Sequence, residues 1–398
     1  MSDREKERPR RILPLIIVSQ FAGTSLWFAS NAILPDLQRA WGLHPESAGS
    51  MTSSVQFGFI LGTLLFAFLT LSDRFSPRKL FFFCSLLGSI FNISICLFTN
   101  DLAGLLFLRF LTGMCLAGIY PVGMKIASGW YREGMGNALG FLVGALVLGT
   151  AFPHLLRSLG QEISWREILL SISIISAAGG LLMLILVPDG PYIRSGTPFT
   201  TRAMAIIFHS RDLRAAAFGY FGHMWELYTL YTFIPFILAE YAVRHPHQLL
   251  DSSLWSFVII AAGSIGCVGG GLLSRRAGSA RIAGVQLACS GVLCVCSPWI
   301  FSAPAELFLA VLILWGVVVV GDSPQFSALI ARHAPPEFVG SALTISNCIG
   351  FTLTIFSIQL TAYLSKFLPP EFLFVTLAIG PVIGLFCFSR LLRKSPAS

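Results

Sequence analysis

Charge is what this 398-residue sequence has least of. Asp, Glu, Lys and Arg make up 12% of it, about half of the roughly 25% usual in soluble domains. With 55% hydrophobic residues, 34 Phe and a mean hydropathy of +0.76, there are too few charges to coat a globule. That excludes a soluble globular enzyme, a disordered chain and a nucleic-acid binder, despite a net charge of +8. Paired cysteines are also missing. The nine thiols all lie in apolar stretches, none forms a C-x-x-C pair, and the number is odd. They read as small hydrophobes, so no metal and no disulfide is expected. A Walker A sequence is absent, which leaves ATP-driven transport unsupported. An H-E-x-x-H or comparable clustering of His and acids is absent too, so no catalytic residues and no cofactor are expected.

What is present is a series of long apolar runs. A helix needs about 20 apolar residues to cross the hydrocarbon core. Such runs fall at 12–34, 49–71, 79–98, 102–128, 137–158, 166–187, 214–239, 253–273, 281–301, 305–331, 338–363 and 371–391, numbered here as spans 1 to 12. The first is too long for a signal peptide and ends in Asn31 and Pro35 without an A-x-A site. Basic residues set the orientation. With the N-terminus inside, 20 of the 27 fall on inner segments, among them Arg4, Lys6, Arg8, Arg10, Arg132 and Arg194. Five (Arg39, Arg157, Arg166, Arg244 and Lys366) fall outside. Both termini are therefore expected in the cytoplasm, in the inner membrane.

The segment 188–213 contains Pro188, Gly190, Pro191, Gly196 and Pro198 and reads as a linker. It divides the chain into six-helix bundles at 1–187 and 214–398. The halves echo each other at an offset near 202. LTLSDRFSPRK (69–79) answers to GLLSRRAGSAR (271–281), and GIYPVGMK (118–125) to GDSPQFSA (321–328), pairing Pro121 with Pro324.

In these motifs the chain resembles the major facilitator superfamily of secondary transporters. The loop after span 2 keeps Asp73, Arg74, Arg78 and Lys79 of that family's G-x-x-x-D-R-x-G-R-R/K. Span 4 carries R-x-x-x-G at Arg109 and Gly113. The resemblance implies an all-α membrane protein with twelve transmembrane helices in two pseudo-symmetric six-helix bundles. It also implies a conformational latch at Asp73, Arg74 and Arg78, the aspartate supporting the start of span 11. The second copy has Arg275 where the aspartate would stand, and the span 5 pattern G-x-x-x-G-P meets Gly140 and Gly144 but Ala145. The latter weakens an antiporter reading. Nitrate transport is doubtful, since there is no G-W-G-N and no arginine in spans 2 and 8.

An ionisable group deep in a membrane is a functional-site hypothesis. Of the acids only Glu226 and Asp322 are deep; Arg109, Lys125, His154 and His223 are the embedded bases. A hydrogen bond or ion pair between helices is the competing account for each, and snorkelling for Lys125. In span 1, Gln20, Thr24, Trp27 and Asn31 share a helix face that lines a cavity or bonds helices together. Thr52, Gln56 and Thr63 repeat this in span 2, with Gly58 and Gly62 permitting close packing. Span 7 is the richest, with His223 and Glu226 three apart and Trp225, Tyr228 and Tyr231 around it. Asp322 and Gln325 flank Pro324.

The substrate-binding candidates are thus Gln20, Thr24, Trp27, Asn31, Gln56, Arg109, Tyr120, His154, His223, Trp225, Tyr228, Gln325 and Asn347. They are expected around a cavity lined by spans 1, 2, 4, 5, 7, 8, 10 and 11. Glu226 leads for proton coupling, with His223 beside it and Asp322 as the alternative; a fixed pair of Glu226 with Arg109 competes. The expected function is secondary transport of a small polar or anionic metabolite by a monomer in the bilayer, with the proton as coupling ion. An exporter of amphipathic compounds is the alternative, and a non-transporting membrane sensor a remote one, given the short tails.

Overall fold

A computed structural model describes residues 11–44, 46–131, 135–160, 163–192, 199–247 and 250–394. The basic residues at positions 4–10, Arg132 and Arg194, which contributed to the orientation, lie outside them. Among the described residues the fold is entirely helical. Ten helices among the described residues are long and apolar enough to cross a membrane. Spans 1 and 7 are the exceptions. Span 7 is a single 34-residue helix, Arg211–Arg244, whose polar residues lower its hydropathy. Span 1 is not continuous as expected; it is built from Ile12–Thr24, Ala29–Ala32 and Leu34–Trp41. Hydroxyls explain where the first piece stops. Thr24 Oγ1 donates to the Gln20 carbonyl and Ser25 Oγ to the Ala22 carbonyl, competing with the helical ladder.

Prolines break two further spans at the positions the repeat aligned. Span 4 runs as Leu102–Leu116 and Tyr120–Trp130, with Pro121 at the start of the second piece. Span 10 runs as Ala305–Gly321 and Ser323–His333, with Pro324 in the same place. A proline has no N–H to continue a helix but suits its first turn. The linker differs from expectation in holding a helix, Arg202–His209.

The remaining spans are Ser47–Phe68 (2), Pro77–Phe98 (3), Met135–Leu159 (5), Trp165–Leu186 (6), Ser252–Ala277 (8), Ser279–Phe301 (9), Val339–Leu364 (11) and Pro370–Ala378 continued by Ile379–Lys394 (12). In the first half span 1 packs on 5 and 6, span 3 on 4 and 6, and span 2 on 4. The second half repeats every one of these pairings six spans later. Glycines permit the closest approaches. A Cβ on Gly113 would stand 2.0 Å from the Val55 carbonyl oxygen, and one on Gly316 2.0 Å from that of Ile259. The halves meet where span 2 lies against 11 and span 5 against 8, two contacts that a twofold axis would interchange.

Candidate central cavity

Between the halves lies a cavity of about 610 Å³. Its lining comes from spans 2, 4, 5, 7, 10 and 11; spans 1 and 8, which were also expected to line it, supply none of the described lining residues. Span 7 supplies one face, Tyr220, Met224, Leu227, Tyr228 and Tyr231, at helical spacing. Opposite stand Tyr120, Pro121, Met124 and Lys125 of span 4, Ser323 and Pro324 of span 10, and Asn347 and Phe351 of span 11. The cavity reaches the ends of spans 4 and 10 and the starts of spans 5 and 11, which lie at the end where the chain enters span 1 and leaves span 12.

The other end is shut by contacts between the halves. Trp27 stacks on Tyr228 and on Phe351, with ring centroids 5.7 Å apart in each case, and Phe59 packs on Phe351 at 4.6 Å. Polar contacts continue the seal. Thr232 Oγ1 donates to Thr52 Oγ1, Thr354 Oγ1 to Gln56 Oε1, and Gln359 Nε2 to Ser53 Oγ at 2.8 Å. At the rim Lys366 pairs with Glu46 at 2.8 Å. Asn31 donates to Thr52 from within its own half. Trp27 and Asn31 of span 1 and Thr52 and Gln56 of span 2 therefore serve closure here, while Thr63 lines the cavity. Gln20 and Thr24 lie off the cavity, against Gly123 and Gly149 respectively.

Among the described residues Lys125 is the one charged side chain in the cavity lining. It reaches toward the loop after span 2, as a snorkelling side chain would. Its ammonium pairs with Asp73 and donates to the Ser72 carbonyl at 2.6 Å. Asp73 thus pairs with span 4, where the resemblance implied support for the start of span 11. A second cleft of about 400 Å³ is bordered by both Asp73 and the start of span 11, with Lys125, Gly340, Ser341 and Thr344 in its lining. Arg78 is held by Asp189 and the Leu184 carbonyl, and Arg74 Nε donates to Thr70 Oγ1.

Arg109 is fully buried yet lines no part of the cavity. Its Nη1 donates to the Leu26 carbonyl at 2.9 Å and its Nη2 to that of Trp27. Those carbonyls belong to the broken stretch of span 1, so the guanidinium caps a helix break. A buried guanidinium needs an anion or a dense set of acceptors, and the chain meets that need with backbone. His154 and Gln325 are buried, outside the cavity lining.

His223 and Glu226 part company. His223 Nδ1 lies 2.8 Å from Asp322 Oδ1 at the break of span 10, both fully buried. Glu226 turns to the interior of the second bundle, where Oε1 accepts from Ser290 Oγ, Cys294 Sγ and Trp315 Nε1. At roughly 100° per residue, Glu226 stands on the far side of span 7 from the tyrosine face. Trp225 also points elsewhere, against Gly380 of span 12. Of the sequence candidates the cavity gathers Tyr120, Tyr228 and Asn347. It adds Tyr220, Tyr231, Met124 and Lys125, and the spacing of Tyr220, Met224, Tyr228 and Tyr231 was a readable signal for that face.

Similar proteins share this architecture. Over 95% of this chain and 99% of its own, the human organic anion transporter MFSD10 superposes with a TM-score of 0.74 at 13% identity. A point mutant of the nucleoside transporter NupG does so over 96% and 99%, with a TM-score of 0.72 at 14% identity. In sequence, the niacin transporter NiaP of Acinetobacter baylyi is 31% identical over 31% of this chain and 29% of its own length. The probable galactarate/D-glucarate transporter GudP of Escherichia coli is 24% identical over 38% and 36%. An uncharacterized transporter of Buchnera aphidicola is 24% identical over 45% and 43%, so the chain spans less than half the length of these curated relatives. The sequence pattern of the Major Facilitator Superfamily matches residues 16–358. With that match, the repeated helix pairings and the cavity between the halves, the chain belongs to the Major Facilitator Superfamily, a family of membrane transporters and not of enzymes.

Proposed function

We propose that the protein is a secondary transporter of small organic anions that works by alternating access. It acts as a monomer in the cytoplasmic membrane, with both termini in the cytoplasm. One observation carries the reading: a cavity sealed at one end by contacts between the halves has, among the described residues, a single charged side chain in its lining, the cation Lys125. A carboxylate on the cargo would compete with Asp73 for that ammonium. The tyrosine face supplies ring surface and hydroxyls, a combination suited to a small ring-bearing or hydroxylated anion. The names of three similar proteins agree in kind: niacin, galactarate/D-glucarate and an organic anion. NupG, named for nucleosides, does not.

Proton coupling is assigned to the His223–Asp322 pair in preference to Glu226. The pair sits at the break of span 10, next to the cavity residues Ser323 and Pro324, whereas Glu226 is engaged inside the second bundle. The mostly apolar remainder of the lining favours a second reading, export of amphipathic compounds. A thermal-shift screen on detergent-purified protein tests between them, because a ligand of the folded state raises its stability. Small carboxylates should raise the melting temperature and lose that effect in Lys125→Gln. Stabilisation by cationic or neutral amphiphiles alone would overturn the anion reading.

A further inference from the structure

A second basic site lies away from the cavity, on the outside of the second bundle. Arg211 and Arg214 open span 7, Arg390 stands near the end of span 12, and the three border a crevice of about 520 Å³ with Ala215, Phe218, Phe386 and Cys387. All three arginines are exposed. Asp212 is the acid beside them, and it meets the Nε of Arg390 at 2.8 Å. Arg214 spends one Nη1 donor on the Phe208 carbonyl. Three guanidinium groups thus stand against one carboxylate. Because each guanidinium carries five N–H donors, the crevice keeps a surplus of positive charge and of donors.

What lies next to it on span 12 is apolar and uncovered. Ile379, Val382, Ile383 and Phe386 are 50%, 62%, 51% and 82% exposed. Their spacing of three, one and three places them on one helix face, which continues after one further turn into Arg390 and then Arg393. In a membrane-spanning helix such a face meets acyl chains. It ends in cations at the level where headgroups begin, on the side where the chain enters span 1 and leaves span 12.

We infer that this crevice binds the headgroup of an anionic phospholipid, with Arg211, Arg214 and Arg390 on the phosphate and an acyl chain along Phe386, Ile383, Val382 and Ile379. Guanidinium groups grip phosphate oxygens in pairs, and basic pockets between transmembrane helices suit anionic headgroups. The site is separate from the central cavity, so its fate is independent of the transport reading.

Native mass spectrometry of the detergent-purified full chain tests this with phosphatidylglycerol, phosphatidylcholine and inorganic phosphate as probes. The wild type should retain phosphatidylglycerol over phosphatidylcholine by roughly tenfold or more, given the excess of cations over the one acid. The combined Arg211→Gln, Arg214→Gln, Arg390→Gln variant should fall to the phosphatidylcholine level. Arg275→Gln with Arg276→Gln, at the end of span 8, should keep the preference. If the triple variant does not purify as one species, Arg211→Gln alone should lower retention severalfold. Equal retention of the two lipids by the wild type would overturn the site, as would a preference that survives loss of the arginines or falls equally in the span 8 control. Displacement by inorganic phosphate at concentrations comparable to the lipid would show an anion site without an acyl contact, and would overturn the lipid assignment.

Discussion

Arg109 and Lys125 are both basic residues of span 4, and the molecule uses them in opposite ways. Arg109 is sealed from water and donates to two backbone carbonyls of a broken helix. Truncating it to Arg109→Met bares those carbonyls, at about 1–3 kcal/mol for each polar group left unpaired. The melting temperature of the purified protein should therefore fall while affinity for an anionic ligand stays the same; lost affinity with unchanged stability would move Arg109 into the binding site. Lys125 should behave the other way round. In Lys125→Gln, affinity for a stabilising carboxylate, read by thermal-shift titration, should drop roughly tenfold or more, as expected for a charged hydrogen bond. Asp73 is tied to the role of Lys125. The resemblance implied a conformational latch at this residue, but its pairing with Lys125 means that Asp73→Asn frees the cation. Anion affinity should rise along with any change in transport rate, and an affinity that does not move would leave Asp73 to the conformational balance alone.

At the scale of helices, the recurring device is the controlled break. Spans 4 and 10 break before Pro121 and Pro324, and a polar residue of spans 1 and 7 faces each break: Gln20 against Gly123, His223 against Asp322. Elsewhere the spans need backbone contact, which Gly113 and Gly316 allow at positions 203 residues apart. Overpacking of a filled interior costs about 1–3 kcal/mol and sometimes more. Gly113→Ala and Gly316→Ala should each lower the melting temperature and yield; a neutral outcome at both would mean the helices separate easily. The break of span 10 also bears on coupling. In proteoliposomes with an imposed pH gradient, Asp322→Asn should lose gradient-driven accumulation yet keep exchange, while Glu226→Gln should accumulate normally. The reverse pattern would return the coupling role to Glu226.

For the whole molecule, the helical membrane fold was legible in the hydropathy and its internal duplication in the repeat. The apolar runs are long, and the aligned prolines fall where the helices do break. The site was harder to read because a polar residue within a span has two outlets, the cavity or a neighbouring helix, and spacing along one helix does not choose between them. His223 and Glu226 share a face by count, yet one meets span 10 at its break and the other reaches Ser290 and Trp315. Arg109 looked like a ligand for cargo because its need for acceptors was legible, whereas the irregular stretch of span 1 that meets it was not. The tyrosine face of span 7 could have been found from its spacing alone. It was obscured by the more conspicuous charges beside it.

Alternating access between the two halves is the central claim, and the seal beside Ser53 and Gln359 gives direct access to it. These side chains meet across the halves at 2.8 Å, so Ser53→Cys with Gln359→Cys, in a version lacking the nine native thiols, should cross-link under mild oxidation. Exchange of a stabilising carboxylate across proteoliposome membranes should stop when the cross-link forms and return on reduction, because the sealed end can no longer open. Exchange that continues at its full rate in completely cross-linked protein would contradict the account.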